Sequence, residues 1–453
     1  MPSPSQDRPA TSSFRWVVCA LLFFSTTFNY MDRQVISYLK EFFCTPAAQG
    51  GFGWTNTDYG YLTSAFTAFY AGMTILAGWV IDKIGTKLGL ALSLIIWSLF
   101  GMANAFVGPL VTMHMLVRSA FGIGEAGNFP ASIKTVAEWF PKRERALATA
   151  IFNSGSNFGA MVAALFVPWC MIHFGDQHGW KMAFIFTGAS GFLWLLFWFA
   201  LYDTPSAHKR LSQAEYDYIH ADDEVPSDKA EGDKGKVSWL KLFRYPQTMA
   251  FATGKFMTDG VWWFYLFWLP DYLHKQFGMT KHDVMLPTFI VFGVAIVGSV
   301  WGGAIPMAFI KKGMHVYNAR MLAMFIIAIC PLAVIATQYF GDVSRFGGHA
   351  SILAVAMICI GAAAHQAWSA NLFTTVSDMF PKRAVGSVTG IGAAAGGLGG
   401  FLMALLPGFL LDRFKSHPES AYLLMFILCG ILYLIAWSIM KALIPSHKPI
   451  DDL

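Results

Sequence analysis

The chain has 453 residues, of which 55% are hydrophobic, 16% aromatic and only 13% charged, about half the ~25% charge of an average soluble domain. This balance excludes an ordinary soluble enzyme. The formal net charge of +5 does not point to nucleic acid either, because lysine and arginine collect in alternate loops and not on one basic face.

Runs near the ~20 apolar residues that cross a hydrocarbon core predict twelve helices, numbered 1 to 12 in chain order: 16–39, 59–81, 88–108, 110–137, 146–172, 180–202, 248–272, 285–310, 318–340, 350–377, 385–411 and 421–444. The expected fold class is an all-α membrane protein with twelve transmembrane helices, its partner being the lipid bilayer. The basic loops hold Lys83 and Lys87; Lys142, Arg143 and Arg145; Lys209 and Arg210; Lys311 and Lys312; Lys382 and Arg383. That alternation predicts that both termini are cytoplasmic. The polar start, Met1 to Ser13, and the lack of a small-residue cleavage site after helix 1 predict no cleaved signal peptide. Cys19, Cys44, Cys170, Cys330, Cys359 and Cys429 show no C-x-x-C spacing, so no metal site, cofactor or disulfide framework is expected.

Helix 1 ends in Phe28-Asn29-Tyr30-Met31-Asp32-Arg33-Gln34, which sets an acid beside a base after a long uncharged run. An ionisable side chain at membrane depth costs at least ~2.5 kcal/mol and persists mostly where it faces a watery cavity or a partner. The plainer reading is that Asp32 and Arg33 mark the helix end. After an outer loop, Lys40 to Asp58, helix 2 carries Tyr61 and Tyr70 and closes with Gly78-Trp79-Val80-Ile81-Asp82-Lys83-Ile84-Gly85-Thr86-Lys87. Gly78 and Gly85 suit close helix approach and a tight reversal, and Asp82 can cap or pair across a helix end. Gly78, Asp82, Gly85 and Lys87 therefore read as a gate or hinge element.

Helix 4 holds Arg118 and Glu125, seven residues apart and so about 10 Å along one face. A simple intrahelical pair would prefer a spacing of three or four, which favours a functional role for both. Small residues Gly122, Gly124, Ala126 and Gly127 between and after them let another helix approach.

An internal repeat organises the chain. Trp139-Phe140-Pro141-Lys142-Arg143 before helix 5 recurs as Met379-Phe380-Pro381-Lys382-Arg383 before helix 11, 240 residues on. Each copy precedes a helix of small residues. Two pseudo-symmetric six-helix halves, 1–202 and 246–453, imply a transporter with its site at their interface near mid-membrane. The charged stretch 203–245, with about a third of the acidic residues, is then a cytoplasmic linker, a tether with one short surface helix at most.

In the second half the turn after helix 8, Gly302 to Met307, lacks the acid that would match Asp82. Helix 7 carries Lys255 and Asp259 at the four-residue spacing of a self-neutralising pair, with a cavity role equally open. Its aromatic run Trp262 to Pro270 reads mostly as lipid or interface anchors, with one or two rings free to stack on a sugar. Helix 10 offers Gln366 and Asn371, either to read substrate hydroxyls or to bond neighbouring helices.

Together these residues suggest proton-coupled anion uptake. The guanidinium of Arg33 or Arg118 is a permanent charge with a fork that matches a carboxylate. Asp32 and Glu125 are the expected proton carriers, since burial favours a neutral carboxyl group. Protonating an acid would free a neighbouring arginine for substrate, and the occupied site would let the halves rock.

The decapeptide Gly78 to Lys87 resembles the signature between helices 2 and 3 of the major facilitator superfamily. Asn29 to Arg33, the Arg118 to Glu125 element and the repeated Phe-Pro-Lys-Arg signatures resemble the anion:cation symporter family within it, and Lys255 to Pro270 with Cys359 to Asp378 most resemble bacterial hexuronate transporters. The resemblance implies proton coupling at Asp32 and Glu125 and sugar-acid binding at Arg33 and Tyr30, with Tyr70 nearby. Galactonate-type relatives have a glutamine where this chain has Ser156, so recognition on helix 5 is expected from Asn153 or Asn157. The implied function is proton-driven import of hexuronates such as glucuronate or galacturonate across a bacterial inner membrane, by a monomer. Another monocarboxylate, an aldonate or an aldarate is the near alternative, an exchanging carrier stays open, and a membrane sensor with a transporter fold is the alternative of another class. No nucleophile–base pair, metal spacing or phosphate loop suggests an enzyme.

Overall fold

The computed structural model describes residues 13–220, 239–380, 382–446 and 450. The polar start through residue 12, linker residues 221–238 and Pro381 lie outside them, as do the side chains of Lys142, Arg143, Ser377, Asp378, Lys382 and Arg383. Twelve helical segments form the bundle. Helix 1 is Phe14–Cys44, helix 2 Asn56–Ile84 and helix 3 Thr86–Ala103. Helix 4 is broken into Val111–Glu125 and Asn128–Trp139, because Pro130 supplies no amide and Gly127 sits where a Cβ would stand 1.9 Å from Ser93 Oγ. Helices 5 and 6 form the stretch Lys142–Leu201, divided at Gly175, whose φ of 69° breaks the helical path. Helices 7 and 8 are Pro246–Phe277 and Met285–Lys311; helix 9 begins as Val316–Ile329 and tightens to a 3-10 helix, Cys330–Ala336; helices 10 to 12 are Ala350–Met379, Lys382–Arg413 and Pro418–Leu443.

Among the described residues, eight helical stretches are long and apolar enough to cross a membrane, one of them covering both helices 5 and 6. Helices 1, 4 and 7 are absent from that group. They are the three that carry Asp32 and Arg33, Arg118 and Glu125, and Lys255 and Asp259. Charge has displaced hydropathy in these helices, whose charged side chains Asp32, Arg33, Arg118, Glu125 and Lys255 are buried in protein and do not face lipid. Lipid-facing aliphatic chains lie on other faces and other helices, for example Leu76, Leu116, Leu196, Val300 and Ile352, all well exposed.

The expectation that the helix 7 aromatic run anchors to lipid is corrected here. Every residue from Val261 to Leu273 is buried, because helix 7 packs among helices 1, 10, 11 and 12. Helix 2 meets helix 11 across the halves, and helix 5 meets helix 8. Helices 8 and 10 cross closely: Cβ atoms added at Gly298 and Gly302 would lie 2.2 and 2.4 Å from Ala363 and Ala367 of helix 10, so small residues set the approach.

The first part of the linker is not a free tether. A short helix, Gln213–His220, docks on the start of helix 1. Glu215 is fully buried; it accepts from the backbone N–H groups of Phe14 (3.2 Å) and Arg15 (3.1 Å) and pairs with the Arg15 guanidinium at 3.1 Å. It thereby caps helix 1 from another segment and meets the positive end of the helix dipole. Arg15 also pairs with Glu144 at the start of helix 5, at 2.8 Å. Glu215→Ala is expected to cost about 1–3 kcal/mol by stripping a buried cation and two amides of an acceptor. A lower melting temperature in detergent, with earlier proteolysis near residue 213, is the expected outcome.

Candidate functional site

Asp32 and Arg33 are neighbours in sequence, but successive helical residues point about 100° apart, and the two side chains go to different places. Asp32 turns into the first half, where Trp97 of helix 3 and Thr187 of helix 6 stand beside it. It is 2% exposed, and neither carboxyl oxygen accepts a hydrogen bond of ordinary geometry. Arg33 turns toward the second half. Its Nε donates to Glu125 Oε2 at 2.9 Å with both side chains essentially sealed from solvent, and Nη2 donates to Asn29 Oδ1 at 3.2 Å.

Four rings enclose that guanidinium: Tyr30 at 4.3 Å, Tyr70 at 4.7 Å, Trp263 at 5.1 Å and Phe66 at 5.5 Å, measured to the ring centroids. Tyr30 belongs to helix 1, Phe66 and Tyr70 to helix 2 and Trp263 to helix 7, so the cage spans both halves. Ring faces attract a cation while leaving it free to exchange its hydrogen-bonding partner. Arg118 lies behind. Its Nη2 donates to the Arg33 carbonyl at 3.3 Å, it stacks over Phe121 (4.4 Å) and Phe66 (4.9 Å), and its Nε and Nη1 have no hydrogen-bond partner among the described residues. Arg33, Arg118, Glu125 and Asp32 thus form one buried cluster of two bases and two acids, as expected from their types, although Glu125 pairs with Arg33 of another helix and not within its own.

The polar residues expected on helices 5 and 10 divide. Gln366 Nε2 reaches Asn157 Oδ1 at 3.5 Å, a long bond that crosses from one half to the other. Ser156 donates to the Asn153 carbonyl of its own helix (2.7 Å), and Asn153 is exposed. Asn371 is committed to the contact between helices 8 and 10, donating to the carbonyls of Gly302 (2.6 Å) and Ala367 (2.9 Å). Lys255 and Asp259 form a 2.6 Å pair.

At the turn between helices 2 and 3, Gly85 adopts φ 84°, a conformation that favours glycine. Asp82 pairs with Lys134 of helix 4 at 2.8 Å, and Lys87 with Asp203 at 2.9 Å. A Cβ at Gly78 would meet nothing within 4 Å, so in this conformation Gly78 makes no close helix contact. The Asp82 tie stays within the first half, and the Lys87 tie reaches only the first residue of the linker.

Sequence reasoning passed over the opposite end of the bundle. There Lys40 of helix 1 pairs with Asp271 of helix 7 at 2.7 Å, with both side chains 1–3% exposed. Asn56 accepts from Lys40 and Lys275, each at 2.8 Å, while Asp412 of helix 11 accepts from the amides of Asn56 (3.3 Å) and Thr57 (2.7 Å). Tyr422 donates to Asp271, Lys281 pairs with Asp176, and Tyr59 donates to the Phe267 carbonyl at 2.9 Å. Helices 1, 2, 7 and 11 are locked together here. Toward the basic end helix 2 leaves this contact: Gly72, Ile75, Leu76 and Trp79 are exposed. A signal was available, since Lys40 and Asp271 are charges at the ends of otherwise apolar runs.

This far-end lock belongs to one conformation, so weakening it should favour the other. Lys40→Met leaves Asp271 short of a cation; breaking a buried pair costs about 3–5 kcal/mol, charged to the closed far end alone. A shift of roughly two orders of magnitude in the open-to-closed ratio is expected. Spin labels at Gln177 and His282 should report a longer distance in the variant.

The sequence profile of the Major Facilitator Superfamily matches residues 22–404. The chain belongs to that superfamily. This facilitator is 29% identical over 428 residues to the hexuronate transporter of Escherichia coli K12, covering 94% of each chain. It is 32% identical over 301 residues to a galacturonate transporter of Dickeya chrysanthemi, covering 66% of this chain and 83% of that one. It is 27% identical over 425 residues to a D-galactonate transporter of Escherichia coli O6:H1, covering 92% and 94%. Among solved structures it is similar in fold to a D-xylose-proton symporter (TM-score 0.72, 16% identity, 97% of this chain and 100% of that one) and to an inward-facing bacterial homologue of the lysosomal transporter Spinster (TM-score 0.71, 18% identity, 97% and 100%). The facilitator fold is that of a multi-pass membrane transporter, not of an enzyme.

Proposed function

We propose that this facilitator is a proton-coupled symporter that imports hexuronates, glucuronate or galacturonate, by alternating access between two six-helix halves, 1–202 and 246–453, with both termini in the cytoplasm. The observation that carries the reading is the sealed Arg33–Glu125 pair at 2.9 Å inside a cage of rings from both halves. Two relatives that span nearly the whole chain are named for sugar acids, which supports a carboxylate as the group that Arg33 holds.

The cycle follows from competition for one guanidinium. With Glu125 charged, Arg33 is occupied. A proton on Glu125 removes the competitor, and the substrate carboxylate takes its place on the fork. The substrate and the proton therefore enter together. Tyr30, Tyr70 and Trp263 then flank the sugar, and Asn157 and Gln366 exchange their long mutual bond for its hydroxyls. Asp32, in contact with the cluster but not with the cage, serves as the second proton station. In this topology the locked end is periplasmic and the conformation faces inward, so Lys40–Asp271 has to part before the next substrate enters.

Uptake of labelled glucuronate and galacturonate into proteoliposomes, beside glucose and the methyl ester of glucuronate, tests the substrate class. Saturable uptake of the acids and not of the uncharged sugars is expected. Uptake of neutral sugar at the same rate would overturn the assignment, because Arg33 would then hold no carboxylate.

A further inference from the structure

Resting on the reading of the site as one for sugar acids, we infer that the Lys255–Asp259 pair of helix 7 limits the substrate to a single carboxylate, accepting hydroxyls at the end distant from Arg33 and rejecting a second acid.

Trp263 touches Arg33, and Asp259 lies one helical turn from it, about 6 Å closer to the basic end, with Lys255 one turn further. A substrate anchored on Arg33 and extending along helix 7 therefore meets Asp259 before Lys255. The pair is not symmetrical in what it shows. The Asp259 side chain is 21% exposed and that of Lys255 only 9%, with Lys255 held over the Phe373 ring at 4.6 Å. Helix 7 is surrounded by helices 1, 10, 11 and 12, so the uncovered part of Asp259 opens onto the interior and not onto lipid. The acid sits against Gly396 of helix 11, where a Cβ would come 2.2 Å from its Oδ2, and this fixes which way it faces. A carboxylate partly satisfied by a lysine accepts hydrogen bonds from hydroxyl groups and repels another carboxylate.

The charge count agrees. In the loaded first half, Arg33 and Arg118 face Asp32 and a protonated Glu125, which leaves one positive charge for one carboxylate. The helix 7 pair adds no net charge to the site as long as Lys255 and Asp259 are both present. A dicarboxylate would set its second charge beside Asp259 with no cation free to meet it, a penalty of about 50-fold or more in affinity at membrane depth.

The test is ligand-induced thermal stabilisation of the purified protein, titrated with glucuronate, gluconate and glucarate. The wild type should bind glucuronate and gluconate within about tenfold of each other and glucarate at least ~50-fold more weakly. Asp259→Asn leaves Lys255 unpaired and should bring glucarate within about tenfold of glucuronate. The double variant Lys255→Gln/Asp259→Asn, neutral again, should reject glucarate as the wild type does. Equal binding of glucarate and glucuronate by the wild type overturns the inference even if both variants fail to fold, and so does an Asp259→Asn variant that weakens all three acids alike. Binding of gluconate without glucuronate would remove the hexuronate reading and leave this inference standing.

Discussion

Arg33→Lys is expected to lower the initial rate of glucuronate uptake by roughly two orders of magnitude, a loss of about 3 kcal/mol, with the protein still folded. A lysine keeps the charge and can still meet Glu125. It cannot present two parallel N–H donors to a carboxylate, nor lie flat against Tyr30, Tyr70 and Trp263, which approach the guanidinium to 4.3–5.1 Å. The lysine ammonium is also more strongly hydrated than the guanidinium it replaces, so it costs more to hold in a dry cage. Uptake measured per mole of reconstituted protein decides the matter. A loss of less than about fivefold would mean that charge alone suffices and that the forked geometry has no part in recognition.

Glu125→Gln should separate binding from coupling. The amide imitates the protonated acid, so Arg33 is always available and substrate binds at least as tightly as in the wild type. On the proposed cycle the sign in the wild type is set by competition: at low pH a proton on Glu125 leaves Arg33 to the substrate, whereas at high pH the carboxylate returns to the guanidinium and displaces the substrate. Affinity therefore falls as pH rises, by up to about tenfold per pH unit, the limit for one linked proton. The variant should lose that dependence and keep exchange of substrate for substrate. Equilibrium binding across pH, with counterflow in the same preparations, checks both halves of the prediction. A variant with an unchanged pH slope would place the coupling proton on Asp32 alone.

Much of the fold was legible because it follows from a solvent rule. Twelve apolar runs, alternating basic loops and a repeat at an offset of 240 residues are each imposed by the bilayer or by duplication, and no tertiary detail is needed to see them. The charges of the site were legible for the same reason, since Asp32, Arg33, Arg118 and Glu125 stand out in apolar helices. Their pairing was not. Adjacent residues on a helix diverge by about 100°, so Asp32 and Arg33 serve different surfaces, and Glu125, the last residue before the break in helix 4, finds its partner on helix 1.

What escaped was whatever depends on contacts between distant segments. The aromatic run of helix 7 has the composition of a lipid anchor, and only its position among helices 1, 10, 11 and 12 turns Trp263 toward Arg33. Asn371 and Gln366 are alike in type and five residues apart, yet one bonds the carbonyl of Gly302 and the other reaches across to Asn157. The lock of Lys40 on Asp271 joins residues 231 positions apart, and nothing in either helix alone names the other. Glu215, in a stretch whose composition suggests a tether, is fully buried because the open N-terminus of helix 1 needs an acceptor.

The most direct test of proton-coupled import is accumulation of labelled glucuronate in proteoliposomes with and without an imposed inward proton gradient, with Asp32→Asn measured in parallel. Accumulation above the external concentration only when the gradient is present, lost in the variant while its counterflow survives, is the predicted result. Uptake by the wild type that is indifferent to the gradient would contradict symport and leave a carrier that exchanges or equilibrates its substrate.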